Sequence, residues 1–254
     1  MKIKKFLLSL GTLCFSAVLY GSPHLITDEF NKPGMSDVIG DKSKFDIQSA
    51  MVTLDPEAVT IVINMNFENA AFSPFGFSGT QLDVGDVFFE VNGVFKYGIP
   101  VKTHGGSPNG GASADQVEQG HIYEILDPSR GVFKAKDVLN TPYLVYRYNN
   151  AVWLRNDGAG ILDDVTVGTP SVDFSPLGNN GVDGAKYQVT IQTSRPAGLS
   201  VGLSDRVRFY FASATCGNDI VEGQLVPEPG RWSLLGAGLL SLVVWKRKGL
   251  RAAA

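Results

Sequence analysis

A chain of 254 residues with 44% apolar content is long enough for one sizeable core or two small ones, and too apolar to be disordered. Its formal net charge of −3 hides a partition, because eight basic residues sit at the ends: Lys2, Lys4 and Lys5 at the start, and Arg231, Lys246, Arg247, Lys248 and Arg251 at the finish. Setting these and Glu228 aside leaves 14 basic against 24 acidic residues, a body at −10 that excludes nucleic acid and anionic lipid headgroups as partners and favours divalent cations or neutral glycans.

In chain order, Met1 to Lys5 is basic, Phe6 to Leu19 is an apolar run, and small residues follow. These are the three zones of a secretory signal peptide, expected over residues 1–21 with the cut after Gly21. Cys14 lies inside the run without the flanking residues that a lipidation signal requires, so it leaves with the signal. Cys216 is then the one cysteine of the mature chain. No intramolecular disulfide can form, and the thiol is either buried and inert or pairs with another chain.

Residues 22–44, broken by Pro23, Pro33, Gly34 and Gly40, read as an irregular lead-in. An exported β-domain is expected over 45–225. Ala58 to Phe67 alternates Val59, Ile61, Ile63, Met65 and Phe67 on one face, the period-two signature of a half-buried strand. It is expected to pair with Asp46 to Leu54 through the turn Asp55-Pro56-Glu57-Ala58.

Further strands are expected at Asp86 to Val91, Val94 to Pro100, Gly120 to Leu126, Tyr143 to Tyr148, Val152 to Asn156, Asp164 to Val167, Ala185 to Thr193 and Arg206 to Ala212. Asn92-Gly93 and Asn149-Asn150 are two-residue links that favour tight hairpins. Thr103 to Ala114 reads as a polar loop too hydrophilic to pack, either a hairpin tip or a ligand-contact loop. No segment between Phe45 and Val226 holds a 3.6-residue apolar period. The fold expected is therefore mainly β, an antiparallel β-sandwich or jelly-roll-like single domain.

At the C-terminus, residues 226–254, the chain reads Val226-Pro227-Glu228-Pro229, then an uncharged apolar stretch from Trp232 to Trp245, then Lys246, Arg247 and Lys248. Fourteen helical residues span roughly 21 Å, less than the ~30 Å of a hydrocarbon core. Flanking tryptophans suit the two membrane interfaces, and the basic cluster favours a cytoplasmic end. A single transmembrane helix, short for a permanent anchor, is the expectation.

This tail resembles the PEP-CTERM sorting signal of Gram-negative bacteria, whose motif, short helix and basic stop cluster are recognised by exosortase, a membrane-embedded cysteine protease and transpeptidase. The resemblance implies a recognition motif at Pro227, Glu228 and Pro229, transient inner-membrane insertion, removal of the tail, and deployment at the cell surface or in the extracellular matrix. Inner segments, Asp37 to Asp41, Phe45 to Ile47, Gly85 to Phe89, Tyr97 to Ile99 and Cys216 to Asp219, are similar to segments of exosortase-sorted extracellular proteins with no established biochemical activity.

Candidate chemistry is sparse. Gly198-Leu199-Ser200-Val201-Gly202 matches a nucleophile-elbow pattern, yet Pro196 precedes it and a strand rather than a helix is expected after it. His24, His104 and His121 stand in unrelated contexts, with His121 expected at a strand edge. Paired carboxylates of a glycosidase would be sought at Asp163-Asp164, or at Glu118 with Glu124. No resident cofactor is expected, but acidic loops offer oxygens to calcium: Asp83, Asp86 and Asn92 in one, Asp157, Asp163 and Asp164 in the next. The function expected is a non-enzymatic surface or matrix protein associated with exopolysaccharide. Two alternatives stand beside it: a secreted carbohydrate-active enzyme, and a periplasmic domain held permanently by the C-terminal helix.

Overall fold

The computed structural model describes residues 23–27, 46–66, 84–105, 116–134, 151–156, 158–178, 181, 184–200, 205–213 and 219–225. Several expectations lie outside the described residues: the signal peptide, the PEP motif, the Trp232 to Trp245 helix with its basic cluster, Cys216, Asp83, Asp157, the Tyr143 to Tyr148 strand and the Asn149-Asn150 turn. Among the described residues every regular element is a strand, and no helix is long and apolar enough to cross a membrane.

Fifteen strands are described: β1 (His24–Thr27), β2 (Ile47–Leu54), β3 (Ala58–Met65), β4 (Val84–Val91), β5 (Val94–Ile99), β6 (His104–Gly105), β7 (Gln116–Val117), β8 (Tyr123–Ile125), β9 (Val132–Lys134), β10 (Ala151–Leu154), β11 (Leu162–Asp164), β12 (Ser171–Pro176), β13 (Tyr187–Ser194), β14 (Val207–Ser213) and β15 (Ile220–Leu225). They form a five-stranded sheet in the order β1-β2-β3-β13-β12 and a six-stranded sheet in the order β11-β8-β5-β4-β14-β15, with the short pairs β9-β10 and β6-β7 beside them. All pairings are antiparallel.

The two large sheets share one core. The alternation read from Ala58 holds through Met65, Phe67 lying outside the described residues: Val59, Ile61, Ile63 and Met65 are fully buried, facing Val87, Phe89, Phe209 and Phe211 of the six-stranded sheet. Phe89 and Phe209 meet edge to face at 6.0 Å, a favoured aromatic geometry. Each fully buried side chain of this size contributes roughly 1.5–3 kcal/mol by leaving water.

The six-stranded sheet is buried on both faces over part of its area. Phe88, Tyr210 and Ala212, which alternate with the inner residues, pack under Val132, Phe133, Val152, Trp153 and Leu154 of the β9-β10 pair. Double burial explains why β4, VGDVFFEV, reads as a nearly continuous apolar run. Gly85 in β4 stands where a β-carbon would meet the Ala212 carbonyl oxygen and come within 2.9 Å of the Val152 carbonyl oxygen. Only glycine allows the neighbouring backbone so close.

The sheets are also tied by polar groups. The Ile47 amide donates to Asp219 Oδ2 and the Ile220 amide to Asp219 Oδ1 at 2.9 Å, so one buried carboxylate joins the start of β2 to the start of β15. Arg195, after β13, donates from Nε to the Leu199 carbonyl at 2.6 Å and from Nη1 to the Asp55 and Leu54 carbonyls at 2.9 and 3.3 Å. It closes the β2-β3 turn against the loop after β13.

Three local expectations change. The lead-in supplies an edge strand, β1, because Ile26 turns inward at 6% exposure against Gly223, where a β-carbon would stand 2.6 Å from Ile26 Cγ2. The strand expected at Asp164 to Val167 ends at Asp164, because the Thr166 amide donates to Asp164 Oδ1 at 2.9 Å and turns the chain. The polar segment from Thr103 packs at its start: His104 and Gly105 pair with Val117 and Gln116.

Candidate functional site

Of the residues expected to hold calcium, Asp83 and Asp157 lie outside the described residues, and the described members of each set stand apart. Asp86 lies within β4 at 1% exposure, and Asn92 lies beyond the far end of that strand. Six residues at about 3.3 Å each put roughly 20 Å between them. Asp86 is already engaged: its Oδ2 accepts from the Leu154 amide at 2.7 Å and lies 2.9 Å from His104 Nε2. His104 Nδ1 lies 2.8 Å from the Gly105 carbonyl oxygen, and the ring meets Trp153 edge to face at 4.4 Å. This half-buried acid–imidazole pair has no sequence signature, since its members lie on separate strands, β4 and β6.

Asp163 and Asp164, adjacent on β11, point to opposite faces and are no carboxylate pair. The β11-β8 register instead sets Asp163 opposite Glu124 and Asp164 opposite Tyr123. Lys96 Nζ lies 3.3 Å from Glu124 Oε1, while Glu118 turns to His121, 3.2 Å from its Nε2. Glu118 and Glu124 therefore serve different partners. His121, just before β8, also places Nδ1 2.8 Å from Asp164 Oδ2. Burial pushes the Asp164 carboxyl up, but the Thr166 hydroxyl and amide and the neighbouring His121 together hold it below the usual carboxylate range. Among the described residues no group of three or more His, Cys, Asp or Glu is arranged to hold a metal ion.

Ser200 closes a described loop, and Val201 and Gly202 of the elbow pattern lie outside the described residues. The Leu199 amide donates to the Pro196 carbonyl at 2.9 Å, Leu199 is fully buried, and a β-carbon on Gly198 would meet the Tyr97 hydroxyl. The loop is shaped by packing on the core.

One surface feature went unread in the sequence. Beyond the part covered by β9 and β10, the outer face of the six-stranded sheet carries an open cavity of about 610 Å3, lined by Glu90, Asn92, Gly93, Arg206, Arg208 and Gln224. Register assembles it: Arg208 on β14 stands opposite Glu90 on β4 and opposite Gln224 on β15. Directly opposed residues of an antiparallel pair point to the same face.

Its walls are fixed. Arg208 lies with its guanidinium carbon 5.0 Å from the Tyr210 ring centre, donates from Nη2 to Glu222 Oε1 at 3.3 Å, and has Nη1 4.0 Å from Glu90 Oε1. The Tyr210 hydroxyl donates to Glu90 Oε2 at 3.1 Å. Burial pushes that phenol well above its ordinary pKa; Arg208 opposes the rise, and Glu90 and Glu222 add to it. It remains a hydrogen-bond donor throughout the physiological range.

The rim is the Asn92-Gly93 turn, with φ of 54° and 87°. Left-handed values at both positions match the tight hairpin expected there. The Asn92 amide donates to the Arg206 carbonyl at 2.8 Å, and the Arg206 amide donates back to Asn92 Oδ1 at 3.0 Å. Donors and acceptors so arranged suit reversible binding of a polar ligand. Comparison with protein-family models, with curated proteins and with solved structures finds no match.

Proposed function

We propose that this chain is an exported cell-surface or extracellular-matrix protein, sorted through its C-terminal signal by an exosortase and associated with exopolysaccharide or the cell envelope by binding rather than by catalysis. The observation that carries the reading is the order of the tail: Val226-Pro227-Glu228-Pro229, the apolar stretch Trp232 to Trp245, then Lys246-Arg247-Lys248, in a chain whose first residues have the zones of a secretory signal. The last described strand, β15, ends at Leu225, one residue before the motif opens in the sequence.

Replacing Pro227 and Glu228 together by alanine tests the motif. The variant is expected to stay in the membrane fraction with its tail attached, while the parent is released from it; equal release of both would remove the motif from the account. The carbohydrate-active alternative places its chemistry at Asp163 and Glu124, the two acids that register sets opposite one another. Glycan hydrolysis lost in Asp163→Asn would favour that reading.

A further inference from the structure

We infer that the open cavity beside the Asn92-Gly93 turn binds an uncharged, polyhydroxylated sugar chain. The inference deepens the proposed association with exopolysaccharide by naming the site and the ligand class. It rests on that proposal only for where the sugar is met.

Charges of both signs surround the cavity, so an ion of either sign meets like charge there. An anion entering it meets Glu90, with Glu222 and Asp205 next to the arginines. A cation meets Arg206 and Arg208. The body as a whole carries −10, which disfavours polyanions at long range as well.

A neutral chain of hydroxyl groups meets none of these penalties. Each hydroxyl donates once and accepts up to twice. Arg208 and Glu90, with Nη1 4.0 Å from Oε1, present donors and an acceptor side by side, as neighbouring hydroxyls require. Arg206 and Gln224 are exposed, and among the described residues their side chains have no hydrogen-bonding or ionic partner, so their full capacity is open to a ligand. The volume of about 610 Å3 falls in the range of small-molecule sites.

The site is also ordered before any ligand arrives. Arg208 is held by Tyr210 and Glu222, Glu90 by the Tyr210 hydroxyl, and the rim by the reciprocal bonds of Asn92 and Arg206. Groups already fixed lose little freedom on binding.

The test is calorimetric titration of the full-length chain, in mild detergent, with galactan, mannan and dextran oligosaccharides and with oligogalacturonate as the charged counterpart. At least one neutral oligosaccharide is expected to bind, with an affinity insensitive to added salt. Arg206→Ala and Gln224→Ala are each expected to weaken it about tenfold, the loss of one or two hydrogen bonds. Both side chains are exposed and outside the core, and unchanged thermal unfolding of the variants checks that the fold is intact. The inference is overturned if no neutral oligosaccharide binds, if both variants keep the parent affinity, or if oligogalacturonate binds more tightly with an affinity that falls with salt. Tail removal is read from the chain termini, so the sorting proposal and this one fail separately.

Discussion

Asp86 holds His104 from beneath: its Oδ2, in a side chain 2% exposed, lies 2.9 Å from His104 Nε2 and also accepts from the Leu154 amide at 2.7 Å. One carboxylate thereby joins β4, β6 and β10, and so fixes the layer that covers the outer face of the six-stranded sheet. Asp86→Ala strands a buried amide and a half-buried ring nitrogen, at a cost of about 3 kcal/mol. Urea unfolding followed by circular dichroism should show that loss; a change within experimental error would mean that the layer is held by apolar packing alone.

Two glycines, one inside β4 and one in the turn that follows it, should respond differently to the same substitution. A β-carbon on Gly85 runs into the backbone carbonyl of Ala212, which cannot move aside, whereas Gly93 has a φ of 87° and open space around it. Gly85→Ala is expected to cost about 3 kcal/mol or more, by forcing strands apart. Gly93→Ala is expected to cost about 1 kcal/mol, from the left-handed backbone alone. Thermal melting of the two variants side by side checks the order, and a larger loss at Gly93 would contradict the β4-β14 packing.

The Asp164 carboxyl is held below its ordinary range in the folded chain, so its contribution is present above the unfolded-state value, about 3.9, and is lost as pH falls through the folded value. Asp164→Asn should therefore lower the melting temperature at pH 7, with the gap to the parent closing towards pH 3. The carboxylate is 42% exposed, and the gap should be small and reduced by salt. A gap constant from pH 7 to pH 3 would show that shape, and not charge, decides the effect.

Arg195 reaches three backbone carbonyls on two segments. Arg195→Met keeps the apolar stem and removes every donor, and should cost about 2 kcal/mol in urea unfolding. Arg195→Lys should recover only part of it, since a single ammonium cannot span Leu199 and Asp55 as the planar guanidinium does. Full recovery by lysine would mean that charge alone matters there.

Much of the fold was legible because local pattern and burial agree. The alternation in β3, the Asn92-Gly93 turn and the apolar run of β4 each report a position relative to the core. Strands β12 and β15 were not legible. β12, SVDFSP, lies at a sheet edge with mainly polar residues, and β15, IVEGQL, places Glu222 and Gln224 on the exposed face. β9 is too short, at three residues, to show a period.

The candidate sites were harder still. Sequence neighbours such as Asp163 and Asp164 part to opposite faces, while Glu90, Arg208 and Gln224 come together only through the register of β4, β14 and β15. Spacing along the chain carries no trace of such a cluster. It depends above all on the β4-β14 pairing, which joins residues more than a hundred positions apart, and the Asn92 bonds to Asp205 and Arg206 that shape its rim are of the same kind.

Mass spectrometry of both termini of the native protein, taken by cell fraction, tests the central proposal most directly. The expected result is a mature chain that begins near Ser22, ends close to Pro229 and lacks the Trp232 to Trp245 stretch, recovered from the cell surface or the extracellular matrix. A peptide containing Trp245 and Lys246, retained in a membrane fraction, would contradict it and make the tail a permanent anchor for a periplasmic sandwich.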